Sequence, residues 1–205
     1  MTVAAREPME MVSAAAAPGR LLPDGSDMGL VTVLGTHAVI AYRRDAQEYQ
    51  RRREAGTGAL GRSDVLDLLM SLPVDEPVPT AALNEAERRT LKAVPKGAVD
   101  RESGMVTRRA IQPLRVDLAV VFGRGWESAM EKAERFTPFC ARAVLVEGAL
   151  RRREEAMMQA DFYGIGLFVA VGGDVDVLVP PRPFVRKRHS TAAWRFVEDV
   201  HRQLG

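Results

Sequence analysis

The stretch VDLAVVFGRGWESAMEKAERF, residues 116–136, constrains the fold of this chain more than any other. Residues 116–122 are apolar except for Asp117, and a strand apolar along its whole length is buried on both faces, as at the centre of a parallel or mixed sheet. Gly123-Arg124-Gly125 then turns the chain. Trp126, Ala129, Met130, Ala133 and Phe136 follow at i, i+3, i+4, i+7 and i+10, the spacing of one helical face. Glu127, Glu131 and Arg135 ladder along the opposite face. A buried strand feeding an amphipathic helix predicts an α/β arrangement in this part of the chain.

The same junction poses a chemical question, because a helix N-terminus reached through glycines is a common anion site. Ser128 stands where G-x-G-x-x-G needs its third glycine, and no Gly-Lys-Ser/Thr follows. The glycines are therefore read as permitting a tight strand-to-helix turn.

The pattern continues on both sides. Upstream, residues 1–28 read as a disordered tail rich in Ala, Pro, Gly and Ser, with no basic stretch followed by a long apolar run. Residues 29–56 read as a β-hairpin and a short charged helix closed by Gly56. Ser63 is the expected N-cap of DVLDLLMSL, and Thr80 or Asn84 starts a second charged helix ending at Pro95. Downstream of the junction, strands are expected at 142–147, 164–171 and 174–180, with Gly172-Gly173 as a hairpin turn. Helices are expected at 148–162 and from Thr191 to Leu204.

Composition narrows the function classes. Of 205 residues, 46% are hydrophobic and 27% charged, so a core can be buried without disulfides or metal staples. The single cysteine, Cys140, forms no internal disulfide and fits a reducing cytoplasm. No run approaches the roughly 18 apolar residues of a membrane span. Net charge is only +2, but arginines come in runs that can make a local basic face.

Residues 60–112 read as a winged-helix-like module: short helices followed by a basic two-strand element. Arg88, Arg89 and Lys92 share one side of a helix, Lys96 extends that side, and Arg108 and Arg109 are expected on the wing. Arg186, Lys187 and Arg188 form a second basic patch.

Catalytic patterns are sparse. Asp117 has no second carboxylate or lysine near it in sequence, and Asp174 and Asp176 alternate along a late strand as an exposed edge would. Asp100 lies in a turn. No G-x-S-x-G occurs, and Cys140 reads as a small core residue. No catalytic residue, metal ligand or cofactor is assigned.

The order of W-E-S-A-M-E-K-A-E-R-F, C-A-R-A-V-L-V, G-I-G-L-F-V-A-V and D-V-D-V-L-V-P-P resembles small bacterial families of the restriction-endonuclease-like superfamily, the PD-(D/E)XK fold. The resemblance covers residues 116–180. It implies a nuclease-like domain at 113–205 in which Val120 and Phe122 stand where such families carry the glutamate and lysine of Glu-x-Lys. Residue by residue, it implies a catalytically dead relative.

Together these readings predict an α+β or α/β chain with a winged-helix-like N-terminal module and a mixed-sheet, nuclease-like C-terminal domain. The expected function is non-catalytic binding of double-stranded DNA in the cytoplasm, as a transcriptional regulator or antitoxin-like repressor, by a homodimer or with a protein partner. The alternatives are a divergent metal-dependent nuclease using Asp117 and an interaction scaffold without DNA binding.

Overall fold

A computed structural model of the chain describes residues 3–16 and 21–205. In chain order, helix α1 (Val3–Ala16) precedes strands β1 (Asp27–Val33) and β2 (Thr36–Arg44), then helices α2 (Ala46–Ala55) and α3 (Ser63–Ser71). Strand β3 (Pro77–Pro79), a 3-10 turn (Thr80–Ala82), α4 (Glu85–Lys92), β4 (Val99–Glu102) and β5 (Met105–Arg108) follow. The remainder is β6 (Leu114–Gly123), α5 (Trp126–Ala133), a 3-10 turn (Glu134–Phe136), β7 (Ala141–Glu147), α6 (Arg153–Tyr163), β8 (Gly166–Val171), β9 (Asp174–Val179) and α7 (Thr191–Leu204). The fold is α+β, with seven α-helices among the described residues, a six-stranded mixed sheet ordered β1-β2-β6-β7-β8-β9 and a three-stranded antiparallel sheet ordered β3-β5-β4. No helix among the described residues is long and apolar enough to cross a membrane.

The chain divides into two compact units, and the division differs from the one expected. The first takes residues up to Arg43 and Val116–Lys187; the second takes Arg44–Arg115 and Arg188–Gly205. The hairpin at 29–44 is thus part of the large sheet, and α7 belongs with the helical unit, not with the α/β unit assigned to 113–205. Sequence order hides both facts, because each unit is assembled from two separate stretches of chain.

In the first unit, β6 and β7 pair in parallel, as do β7 and β8, while β1–β2 and β8–β9 are antiparallel hairpins. Leu34 and Gly35, both at positive φ, close the first hairpin, and Gly172 and Gly173 close the second. These are the left-handed conformations that two-residue hairpin loops require. One sheet face carries Val39, Ala41, Leu118, Val120, Ala143, Leu145 and Phe168, and Val12 and Ala15 of α1 are fully buried against them. The segment expected as a disordered tail is therefore helical over Val3–Ala16, despite Pro8 within it. Residues 1, 2 and 17–20 of that expected tail lie outside the described residues. Strand residues alternate between faces, so Ala119 and Val121 point the other way. α5 packs on β7 through buried Trp126, Ala129, Met130 and Ala133, and α6 packs on β8.

In the second unit, Asp45 caps α2 by accepting from the Glu48 amide at 2.8 Å, and Gly56 ends it in a left-handed conformation. Ser63, expected as the cap of α3, is instead its first residue. Leu66, Leu69, Leu91, Val94, Val106 and Trp194 are among the core residues. A buried ion cluster runs alongside. Arg52 donates to both oxygens of Glu198 at 2.8 Å and to Glu48 at 2.7 Å. Glu198 also accepts from the Leu60 amide at 2.8 Å and from Trp194 Nε1 at 2.9 Å. Burial pulls the Arg52 pKa down, but hydrogen bonds and charges from Glu198 and Glu48 outweigh it and hold the guanidinium above its ordinary value. Such a cluster costs desolvation and persists because every oxygen lies near a donor.

Candidate nucleic-acid interface

The expected basic side centres on α4. Asn84 and Glu87 form a reciprocal capping box, Asn84 Oδ1 accepting from the Glu87 amide at 2.9 Å and Glu87 from the Asn84 amide at 2.8 Å. This fixes where the helix starts and which way it faces. Leu91 turns into the core, leaving Arg88, Arg89 and Lys92 exposed. Arg89 lies 3.6 Å from Glu85 in an exposed pair of the kind that contributes little. Arg88 donates to the Leu83 carbonyl, which orients its side chain. Lys96 is exposed just beyond the helix, in the loop leading to β4. The β4–β5 hairpin turns at Ser103 and Gly104, both at positive φ.

Arg108 and Arg109, expected on the wing, are placed differently. Arg108 ends β5 opposite Val99, far from the Ser103–Gly104 turn, and Arg109 follows it, its amide donating to the Ala98 carbonyl at 3.0 Å. Arg108 donates from Nε to the Ala110 carbonyl at 2.8 Å and from Nη1 to the Leu72 carbonyl at 3.1 Å, and lies over the Trp194 ring at 4.8 Å from its centroid. Burial pushes its pKa down. Arg109 is held between Asp75 at 2.7 Å and Asp100 at 2.8 Å, and these two hydrogen bonds raise its pKa. Arg108 turns onto Trp194 and the Leu72 carbonyl, while Arg109 reaches the acidic turn at Asp75 and Asp100. Arg186, Lys187 and Arg188 sit in the irregular segment before α7, with Lys187 and Arg188 exposed. Arg186 and Lys187 fall in the first unit and Arg188 in the second.

The Gly123-Arg124-Gly125 junction in the first unit separates its two glycines by role. A Cβ on Gly123 would stand 2.7 Å from the Ala129 Cβ, so close strand-to-helix packing requires glycine there. A Cβ on Gly125 would meet nothing nearer than 3.9 Å. A cavity of about 380 Å³ opens at this end of β6 and β7, with Arg124, Arg151 and Arg152 on its wall. Arg152 lies over Trp126 and donates to Glu127 and to both oxygens of Glu155, so its charge is matched locally.

The four aspartates singled out from the sequence do not converge. Asp117 is held by Arg43 of β2, with Oδ2 accepting from Nε at 2.8 Å and Oδ1 from Nη2 at 2.9 Å. Asp100 pairs with Arg109 in the second unit. Asp174 and Asp176 are exposed on edge strand β9, which β7 and β8 separate from β6. No group of three or more His, Cys, Asp or Glu among the described residues is placed to hold a metal ion. Val120 is fully buried under α1, and Phe122 packs against the same cluster. Cys140 is fully buried, and burial pushes its thiol up to about 12.

Sequence reasoning missed the buried carboxylates. Glu48 and Glu198 look like ordinary members of charged helical faces; the signal available was Trp194 four residues before Glu198, one turn of helix away. Comparison of the chain with protein-family models, with curated proteins and with solved structures found no match.

Proposed function

We propose that the protein binds double-stranded DNA through its second unit and does not cleave it, acting in the cytoplasm as a transcriptional regulator or antitoxin-like repressor. The observation that supports this reading is the order α3, β3, a 3-10 turn, α4, β4, β5 with strands arranged β3-β5-β4, which parallels a winged helix with the 3-10 turn in place of its middle helix. α4 then stands in the recognition-helix position, with Arg88, Arg89 and Lys92 exposed along it and Lys96 beyond it. Arg108 and Arg109 leave the contact set, Arg108 because its guanidinium is turned onto the Trp194 ring and the Leu72 and Ala110 carbonyls, and Arg109 because Asp75 and Asp100 hold it. Arg186, Lys187 and Arg188 remain as a secondary basic patch.

For the first unit, the succession β6, α5, β7, α6, β8 is in keeping with the restriction-endonuclease-like resemblance. The apolar burial of Val120 and Phe122 and the Arg43 clamp on Asp117 weigh against a working metal site. Fluorescence anisotropy with labelled duplex DNA across a salt series tests the reading. The expected result is low-salt binding that falls steeply with salt and is lost in the Arg88→Ala/Arg89→Ala/Lys92→Ala variant. Binding unchanged in that variant removes α4 from the interface, and no binding at low salt sinks the DNA reading altogether.

A protein-partner role has its own observation. Met158, Phe162 and Tyr163 of α6 are 67%, 75% and 51% exposed, an unusual apolar stripe for a helix surface. A homodimer through this stripe is the partner reading. Sedimentation equilibrium on wild type and Phe162→Glu checks it, a monomeric wild type being the outcome against it.

A further inference from the structure

A cavity of about 500 Å³ in the second unit has Met70, Val74, Ile111 and Trp194 as its apolar wall and Arg108, Gln112, His189 and Ser190 as its polar groups. Its volume falls within the roughly 300–1,000 Å³ of small-molecule sites, which set a few polar groups against an apolar wall. The decisive feature is the guanidinium. Arg108 is only partly exposed, spends Nε and Nη1 on the carbonyls of Ala110 and Leu72, and rests on the Trp194 ring. Among the described residues no carboxylate hydrogen-bonds it; Glu48 acts on it only through space.

Arg52 of the same unit provides the contrast. It is more deeply buried, yet it is matched by Glu48 and Glu198 and its pKa stands above the ordinary value, whereas burial pulls Arg108 below it. A desolvated cation lacking a counter-charge is a standing cost that an incoming anion offsets. An inorganic anion would meet Arg108 but leave the apolar wall wet. A neutral apolar ligand would cover the wall and desolvate Arg108 further.

We propose that this cavity binds a small apolar carboxylate, an aromatic or short-chain aliphatic acid, with its carboxylate on Arg108 and its body against Met70, Val74 and Ile111. A charge-assisted guanidinium–carboxylate contact supplies orientation, and burial of the apolar body supplies affinity. The site is a ligand pocket within the unit that carries α4, and its existence does not depend on DNA binding.

Calorimetric titration of the full chain with benzoate, 1-naphthoate and octanoate, and with neutral 1-naphthamide, tests the inference. The expected result is saturable 1:1 binding of at least one acid, with 1-naphthoate about tenfold or more tighter than its amide. Val74→Phe, beside Arg108 in an isolated bridge, fills part of the cavity while retaining the guanidinium, and is expected to weaken acid binding several-fold. Arg108→Gln is expected to abolish the preference for acid over amide. If that variant fails to fold, because it also releases the Leu72 and Ala110 carbonyls, the acid–amide comparison and Val74→Phe carry the test alone. Equal affinity for acid and amide, no effect of Val74→Phe, or no acid binding below about 10 mM overturns it.

Discussion

Arg43 of β2 and Asp117 of β6 face each other across adjacent strands and share two parallel hydrogen bonds, at 2.8 and 2.9 Å. The aspartate is the more enclosed partner, its side chain 8% exposed against 35% for the arginine. The hydrogen bond to Asp117 raises the pKa of Arg43. A carboxylate whose two oxygens are both committed to one guanidinium would have to surrender that pair to meet a divalent cation.

The pair is therefore expected to matter for stability. Arg43→Ala removes the two hydrogen bonds that Arg43 gives the enclosed Asp117 and is expected to cost about 1–3 kcal/mol, read by urea denaturation. Millimolar Mg²⁺ or Mn²⁺ is expected neither to raise the thermal midpoint of the wild type nor to produce plasmid cutting. Metal-dependent cutting that disappears in Asp117→Ala would restore the nuclease alternative.

Glu198 gathers Arg52, the Leu60 amide and the Trp194 indole on one carboxylate. Glu198→Ala leaves Arg52 buried with only Glu48 and is expected to destabilise the second unit by roughly 3–5 kcal/mol. Circular dichroism on thermal unfolding reads this as a lowered transition.

His201 gives the stability a pH dependence. Burial and the neighbouring Arg52 charge lower its pKa from the ordinary 6.5, while Glu198 and Glu48 act the other way and Arg44 adds to the lowering. A lowered folded-state value means that the unfolded chain binds the proton more readily. This contribution is complete above about pH 6.5 and is lost as the pH falls through the lower folded value. Thermal midpoints measured from pH 7.5 to 5 are expected to fall, and to fall less in His201→Gln. Equal slopes in the two proteins would show that His201 does not carry the effect.

Gly123→Ala is expected to destabilise by about 1–3 kcal/mol through overpacking against Ala129. In an Ala129→Gly background the same change is expected to cost much less, once the helix-propensity loss of Ala129→Gly itself is subtracted. Additive costs in this double-mutant cycle would mean that the two residues do not meet.

On the DNA side, Arg109→Ala is expected to leave affinity and its salt dependence unchanged, since Asp75 and Asp100 already hold the side chain. Lys92→Ala is expected to weaken binding to all sequences alike and to reduce the log–log salt slope by about 0.9. Anisotropy titrations between low and moderate salt distinguish the two.

Much of this molecule is legible in its sequence where local rules suffice. The strand–glycine–helix run at 116–136, the Gly172-Gly173 turn and the helix from Thr191 to Leu204 follow from periodicity and turn chemistry acting within a few residues. Apart from the cap of α3, where Arg62 stands in place of Ser63, the failures are non-local. The Val3–Ala16 helix is masked by a composition that suggests disorder, and what buries Val12 and Ala15 is a sheet face built largely from residues more than a hundred positions away. The allegiance of α7 is invisible because Glu198 meets its partners Arg52 and the Leu60 amide from 146 and 138 positions away. Arg108 and Arg109 read as wing residues from their place on a basic strand, yet Asp75 and Trp194, remote in sequence, set their direction.

The discontinuity of the second unit has a consequence for how the chain folds during synthesis. Residues 44–115 leave the ribosome well before α7 exists, so Arg52 and Glu48 must wait in water for Glu198, and the Leu66–Leu69 helix face must wait for Trp194. The intervening sheet strands, meanwhile, have all their partners by residue 179. Contacts that span so much chain are slow to close. The unit proposed to read DNA is thus the last to mature, and a polypeptide halted before residue 190 would carry α4 and its arginines on an unfinished support.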